Sequence, residues 1–135
     1  MGKSSKAKRG KGKSIGGSFA AMPENLLHSR AYAELAPSAA KILAPMIYAD
    51  GVFVVHRGGA DFPFTYADAK RHGLSSATFS RAIKELTAKG FITPAKHGGL
   101  RGSCKIENRF KRSERWKKYG TPEFEEVKRF DESRL

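Results

Sequence analysis

A clear helical periodicity lies between Ser75 and Gly90. Its apolar residues recur at helical spacing and share one face, and they are Phe79, Ala82, Ile83 and Leu86. The opposite face carries small and basic residues, namely Ala77, Arg81, Lys84 and Ala88. The pattern therefore predicts an amphipathic helix whose apolar side joins the core.

A shorter helix is predicted directly before it. Thr65 is suited to be the N-cap, because its side chain can accept a hydrogen bond from an N–H of the first turn. Asp68, three residues later, is typical of the second partner in a capping box. Gly73 should end this helix, because glycine adopts the left-handed C′ conformation that a side chain resists. Leu74 then turns inward, and Ser75 caps the second helix.

Two strands are predicted after the second helix. The first strand is Phe91-Ile92-Thr93, which directly follows Gly90, and the second is Ser103–Phe110. Between them, Lys96–Gly102 is rich in glycine and basic residues, which indicates a basic hairpin tip.

Two short helices are expected near the start of the apolar sequence, after Phe19. Pro23 can open one helix and Ser29 can cap another, and residues 19–36 should form an N-terminal helical lid. Pro37 then begins a longer helix with a stripe of core residues. Pro45 lies inside that stripe, where it must kink the helix or end it early.

The segment that joins this helix to Thr65 has the strongest β-run in the chain. Asp50-Gly51 indicates a turn, and the β-branched run Val52–His56 predicts a strand. Phe62-Pro63-Phe64 should then lead into Thr65 as extended chain.

Helix, turn, helix and basic hairpin, in that order, resemble the winged helix-turn-helix family over about Pro37–Phe110. The resemblance is carried by T-Y-A-D-A-K-R-H-G-L-S and T-F-S-R-A-I-K-E-L-T-A-K-G-F-I. It implies a mainly α fold with a small antiparallel β-sheet (α+β). A disordered basic N-terminal tail and a C-terminal helical extension are expected to flank this domain. It also implies that the second helix (about 75–90) enters the major groove and that a wing (96–105) contacts the backbone or minor groove.

The charge favours a polyanionic partner. The chain has 26 basic and 13 acidic residues, for a net charge of +13. Nucleic acid is the commonest polyanion that such an excess attracts. A membrane surface is the rival polyanion, but no amphipathic helix with a bulky apolar face and a Lys-rich back stands out. No apolar run is long enough to cross a bilayer and no signal peptide is evident, so we expect no membrane association. The single cysteine, Cys104, fits a reducing cytoplasm, where a bacterial protein of this kind would be nucleoid-associated.

The candidate nucleic-acid-binding residues fall in three groups. Hydroxyls can reach phosphates or base edges, and arginine can make paired bonds to guanine. The candidates on the second helix are therefore Ser75, Ser76, Thr78, Ser80, Arg81 and Lys84. The wing contributes Lys96, His97, Arg101 and Lys105. Residues 1–18 should be a flexible polycation that adds sequence-independent affinity through Lys3, Lys6, Lys8, Arg9, Lys11 and Lys13.

The C-terminal region, residues 111–135, should be a basic linker followed by a helix. Trp116 and Tyr119, set among basic residues, either clamp a nucleic-acid backbone or anchor the linker on the domain, and we favour anchoring. Thr121-Pro122 is typical of a helix start, with Phe124, Val127 and Phe130 at helical spacing. That helix could pair with a second copy or with another protein.

Enzyme chemistry finds little support in the sequence. The four histidines lie far apart without metal-ligand spacing, and Cys104 has no second thiol, so we expect no catalytic residues, metal or cofactor. Ala7–Ser14 fits a loose phosphate-loop pattern, but it lacks the strand before and the helix after that such a loop needs.

The resulting prediction is a DNA-binding protein that is not an enzyme, with double-stranded DNA as its partner. Its expected role is a transcriptional regulator or a phage or plasmid replication-associated factor. Two alternatives stay open: an RNA- or ribosome-associated basic winged-helix protein, and a protein-interaction module in which the second helix faces a partner.

Overall fold

The computed structural model describes residues 19–96, 99–101, 104–106 and 108–126. This part of the chain is α+β, with five α-helices: α1 (Glu24–Leu27), α2 (Arg30–Ala33), α3 (Pro37–Asp50), α4 (Tyr66–Arg71) and α5 (Ser76–Ala88). Five short strands accompany them: β1 (Phe62–Pro63), β2 (Ile92–Lys96), β3 (Gly99–Arg101), β4 (Cys104–Ile106) and β5 (Arg109–Arg112). A 3₁₀ turn covers Arg115–Lys118.

Helix α3 runs through Pro45 as far as Asp50, so of the two effects predicted for that proline, a kink or an early end, the early end does not occur. The predicted turn at Asp50-Gly51 and the strand over Val52–His56 are also wrong, because Gly51–His56 continues α3 as a π-helical segment. Its end is closed by the N–H groups of Gly58 and Gly59, which donate to Val54 and Phe53 carbonyls. Phe53 packs against the core, and this tertiary contact accompanies a helical backbone in spite of the β-propensity of the run.

The continuation of α3 changes one sequence-based expectation. Together, α3 and the π-helical segment make a helix of 20 residues, Pro37–His56, that is long and apolar enough to cross a membrane by length and composition alone. The expectation that no run is long enough assumed a break at Gly51. In this fold one side of α3 lies in the core, where it contributes Ala39, Ile42, Leu43, Met46 and Ile47.

The two helices α4 and α5 follow their predicted local signals. Thr65 Oγ1 accepts from the Asp68 N–H at 3.1 Å, and Asp68 Oδ2 accepts from the Thr65 N–H at 2.9 Å, so the capping box is complete. Gly73 has φ +87°, and Gly90 beyond α5 has φ +92°. Leu74 is buried between the two helices. The predicted caps, ends and inward leucine are all confirmed.

The sheet is a small antiparallel one with strand order β1-β5-β2. Phe62 pairs with Phe110 and Ile92 with Arg112, and a bulge interrupts the β2–β5 ladder between Pro94 and Lys96. Beyond the bulge, β3 and β4 form a separate two-stranded ribbon whose last pair is Arg101 with Cys104.

The predicted second strand over 103–110 is therefore wrong in its bounds. It is divided into β4 and β5, and β5 continues to Arg112. The predicted tip at Lys96–Gly102 is displaced as well, because β2 includes Lys96 and β3 takes up Gly99–Arg101. The β2–β5 ladder continues past the bulge to the pair Lys96 with Arg109, and the separate β3–β4 ribbon lies farther along the hairpin.

The C-terminal segment closes one side of the core. Trp116 is only 5% exposed and stacks on Phe91, with ring centroids 6.1 Å apart and planes at 14°. The predicted anchoring of Trp116 is confirmed. The predicted helix start at Thr121 is wrong, since residues 121–126 form a turn followed by irregular chain, while Val127 and Phe130 lie outside the described residues.

The N-terminal lid packs beside this segment. Leu26 of α1 and Ala31 of α2 are buried in the core, and Ser29 caps α2 as predicted by accepting from the Tyr32 N–H at 3.1 Å. Glu34, at the end of α2, accepts from the Tyr119 hydroxyl at 3.0 Å. The lid and the C-terminal segment therefore contact each other.

Candidate nucleic-acid interface

Helix α5 has one buried side and one exposed side. Phe79, Ala82 and Leu86 are buried as α5 packs on α3. The exposed side carries Ser75 at the cap and then Ser76, Ala77, Arg81, Lys84 and Ala88. We call these six residues the outer face of α5. Nothing in the described part of the chain buries this basic and small-residue face.

A chain of hydroxyl contacts fixes the N-terminal end of the outer face. Ser75 Oγ accepts from the Thr78 N–H at 3.2 Å and donates to Thr78 Oγ1 at 3.0 Å. Thr78 Oγ1 in turn accepts from Arg81 Nη2 at 3.2 Å. Arg81 has no carboxylate in this contact, so its guanidinium is oriented by a neutral group and keeps its charge available for an anion.

Tyr66 is a neighbour of this face that the sequence analysis missed. Its side chain, at the first position of α4, is 46% exposed, and its hydroxyl lies 3.2 Å from Ser80 Oγ. The Tyr66 ring meets the Phe79 ring edge-on, with centroids 5.4 Å apart. The only signal in the sequence was an aromatic residue directly after the Thr65 cap, and spacing along one helix does not reveal a contact between two helices.

More basic residues surround α4. Lys70 and Arg71 are exposed, and Arg71 pairs with Asp68 within the helix. A Cβ at Gly73 would lie 3.0 Å from Lys41 Nζ of α3, which places that ammonium group at the C-terminal end of α4. A cation is favourable there because the helix dipole is negative at this end.

The predicted wing residues lie on the hairpin. Lys96 ends β2, Arg101 ends β3, and Lys105 pairs with Leu100 across the β3–β4 ribbon. His97 lies outside the described residues, as do the basic residues of the N-terminal tail: Lys3, Lys6, Lys8, Arg9, Lys11 and Lys13. The structure therefore places three wing candidates on the successive strands β2, β3 and β4. It places the candidates of the second helix at the cap and along α5, and they are Ser75, Ser76, Thr78, Ser80, Arg81 and Lys84.

The C-terminal end of α5 is held by a different set of charges. Arg115 Nη2 donates to the Thr87 carbonyl at 2.9 Å and to the Ile92 carbonyl at 3.3 Å, and burial lowers the pKa of this guanidinium. Glu85 Oε2 accepts from the Ala36 N–H at 3.0 Å and from Lys89 Nζ at 3.0 Å. These contacts are structural, because they connect α5 to α3 and to the C-terminal segment.

Among the described residues, one carboxyl is buried, that of Asp50 at the end of α3. Asp50 is 8% exposed, and burial raises its pKa, which the charge of Arg112 partly offsets. Among the described residues, no three His, Cys, Asp or Glu side chains come together as a metal site would require. The arrangement on α5 is suited to contact with an extended anion.

Comparisons with protein-family models, with curated proteins and with solved structures found no match to this chain.

Proposed function

We propose that this chain is a winged helix-turn-helix protein that binds double-stranded DNA through the outer face of α5. The observation that carries the proposal is the exposed pair Arg81 and Lys84 on a helix whose other side is core. A helix presented in this way, after a short capped helix and a tight turn, has the shape that fits a major groove. The small residues Ser76 and Ala77 at its N-terminal end permit close approach to base edges.

The expected contacts divide into two kinds. Arg81 would read guanine through paired hydrogen bonds, since its guanidinium is oriented by Thr78 before any ligand arrives. Lys84, the hydroxyls of Ser75, Ser76 and Ser80, and the wing cations would hold the backbone and fix the register. The biological role that follows is a transcriptional regulator or a replication-associated factor, acting as a binding protein without catalysis.

The test is selection of bound sequences from a random duplex pool at near-physiological salt, with the full chain. We expect one motif to be enriched, and Arg81→Ala to abolish the preference at one or two positions at a cost of about 1–3 kcal/mol. Arg81→Lys is the matched control, because it keeps the charge but replaces the rigid planar fork of the guanidinium with a flexible ammonium group. It should retain non-specific affinity and show a weaker base preference.

Two outcomes would contradict the proposal. One is a failure to enrich any motif, and the other is an Arg81→Ala protein that selects the same motif as the unaltered chain. Competition with single-stranded DNA and structured RNA in the same buffer identifies the RNA alternative, since RNA would then displace the duplex.

A further inference from the structure

The hairpin that carries the wing candidates is held at its base by an ion pair from another part of the chain. Arg109 Nε donates to Asp61 Oδ1 at 2.6 Å, and Arg109 Nη2 donates to the Asp61 carbonyl at 3.3 Å. The two side chains are only 29% and 24% exposed, so solvent screens this pair less than it would a fully exposed one. Because the residues lie 48 positions apart, the contact joins two separate segments of the fold.

Arg109 lies where the sheet ends and the hairpin continues. It pairs with Pro63 of β1 on one side and with Lys96 of β2 on the other. The pair of Lys96 with Arg109 follows the bulge and is the last of the β2–β5 ladder, whereas the first pair of the β3–β4 ribbon is Gly99 with Ile106. Arg109 therefore belongs to the last residue pair of the sheet before the ribbon begins.

Asp61 lies on a segment whose backbone is held on both sides. Before it, the Gly59 N–H donates to the Phe53 carbonyl at 3.0 Å, at the end of the π-helical segment. After it, Phe62 is buried in the core. The carboxylate of Asp61 therefore contacts Arg109 from a segment that is attached both to the helix and to the core.

The ribbon needs support at its base. Its two strands, Gly99–Arg101 and Cys104–Ile106, have three residues each, and a two-stranded hairpin is marginally stable by itself. A bulge also bends the strand that bears it, so backbone pairing alone fixes the direction of the ribbon weakly. A cation that is already in place binds a phosphate without the loss of conformational freedom that ordering costs.

We propose that Asp61 is a positioning residue for the wing. Through Arg109 it holds the β3–β4 ribbon, which carries Arg101 and Lys105, in the direction needed for contact with the DNA backbone. This inference rests on the proposed function, in which the wing cations bind that backbone. It gives an acidic residue a favourable effect on the binding of a polyanion. Charge alone predicts the opposite, since the loss of a negative charge should strengthen such binding.

The first test is the sign of the change in affinity when Asp61→Asn is introduced in the full chain, measured on a duplex with the selected motif. We expect binding to weaken about three- to tenfold, because much of the contribution of two phosphate contacts is lost. Glu123→Gln is the matched control, since it removes the same charge from an exposed side chain outside the hairpin. It should bind as tightly as the unaltered chain or more tightly. Asp61→Glu keeps the carboxylate and should keep most of the affinity.

A double-mutant cycle separates positioning from stability. Arg101→Gln together with Lys105→Gln should weaken binding about tenfold in the unaltered chain. In the Asp61→Asn background the same two changes should weaken it less than about threefold, because the wing is no longer held in place. A purely structural role would give equal losses in both backgrounds, with circular dichroism verifying that each variant is folded. If Asp61→Asn does not fold, Arg109→Lys replaces it in the cycle, since lysine keeps the charge but lacks the planar fork that contacts Asp61 at two points.

Three results would overturn the inference. They are an Asp61→Asn protein that binds as tightly as Glu123→Gln, equal losses from the wing changes in both backgrounds, and wing changes that cost nothing in the unaltered chain. The proposed function has a separate readout, which is the motif selected through Arg81. If that motif is enriched but the cycle shows no coupling, only the positioning role fails. If no motif is enriched and the cycle still shows coupling on a random duplex, the proposed function of α5 fails and the positioning role stands.

Discussion

The backbone N–H of Trp116 donates to the carbonyl of Gly90 at 3.1 Å, which joins the end of α5 to the segment that follows the sheet. Gly90 has φ +92°, and a Cβ there would lie 2.5 Å from Trp116 N and 2.8 Å from the Arg115 carbonyl carbon. Both the backbone conformation and the close approach therefore require glycine. This contact, together with the β2–β5 ladder and the stack of Trp116 on Phe91, attaches the segment after the sheet to the core.

Gly90→Ala should destabilise the fold by more than about 3 kcal/mol, because it combines left-handed strain with a backbone clash that cannot relax easily. Gly73→Ala is the matched control, since Gly73 has a similar φ of +87° but only the flexible end of Lys41 nearby. It should cost about 1 kcal/mol. Urea denaturation measures both, and equal losses would contradict the role given to the Gly90–Trp116 contact.

Asp50→Asn should make the stability of the protein less sensitive to pH. Burial raises the pKa of the Asp50 carboxyl above its ordinary value of 3.8, with a smaller opposing effect from Arg112. The folded state thus binds the proton more readily than the unfolded state, so this group's contribution is fully favourable below pH 3.8 and is lost as pH rises through the higher folded pKa. Asparagine does not titrate.

The stability difference between Asp50→Asn and the unaltered chain should therefore grow in favour of the variant from about pH 4 towards neutral pH. Urea denaturation across that range measures it. Glu114→Gln is an informative comparison, because a hydrogen bond from Lys117 lowers the pKa of exposed Glu114 and the sign should reverse. A difference for Asp50→Asn that stays constant with pH would contradict the prediction.

Arg115→Met should destabilise the fold by about 1–3 kcal/mol, because the carbonyls of Thr87, Ile92 and Glu125 would each lose a charged donor. Lys118→Met is a suitable control on the same segment, since its side chain is exposed and the change should lie within about 0.5 kcal/mol. Thermal unfolding compares the two. Equal stability of both variants would show that water satisfies these three carbonyls as well as Arg115 does.

Structural features that depend on residues close together in the sequence were predicted well. The Thr65–Asp68 capping box, the Ser75 cap and the end of α5 at Gly90 each depend on bonds that close inside one or two turns. These bonds involve only neighbouring residues, so the sequence alone was enough to place them at these three positions. The same holds for the apolar face of α5, whose periodicity identified Phe79, Ala82 and Leu86 as core.

Errors arose where a distant contact, or a competing bond to a nearby residue, decided the outcome. The β-branched run Val52–His56 is helical in a fold where Phe53 packs on the core. Thr121 resembles a cap, but its Oγ1 donates back to the Lys118 carbonyl at 2.6 Å and serves the preceding turn. The Tyr66–Ser80 contact joins residues 14 apart on two helices, so no spacing rule could have found it. On the candidate interface, the residues of α5 could be predicted from the sequence, whereas the neighbouring Tyr66 could not.

Deletion of residues 1–13 should flatten the salt dependence of nucleic-acid binding. The deleted segment carries six basic residues: Lys3, Lys6, Lys8, Arg9, Lys11 and Lys13. Each phosphate contact adds about 0.9 to the slope of log affinity against log salt, so the slope should fall by up to about 5. Titrations at several salt concentrations measure it, and the enriched motif should be unchanged. A changed motif with an unchanged slope would mean that the tail reads bases.

Thr78→Val should reduce sequence preference without reducing stability. Valine has nearly the shape of threonine but cannot accept from Arg81 Nη2, a contact of 3.2 Å that now orients the guanidinium. Paired bonds to guanine depend on that orientation, so discrimination between the preferred and random duplexes should fall about three- to tenfold. Thr78→Ser keeps the hydroxyl and should keep the discrimination. The Ser75 cap bonds to the backbone N–H of residue 78 in all three proteins, so α5 should remain intact by circular dichroism. If valine and serine gave the same discrimination as threonine, Arg81 would be oriented by DNA alone, and preorganisation by Thr78 would be excluded as a source of specificity.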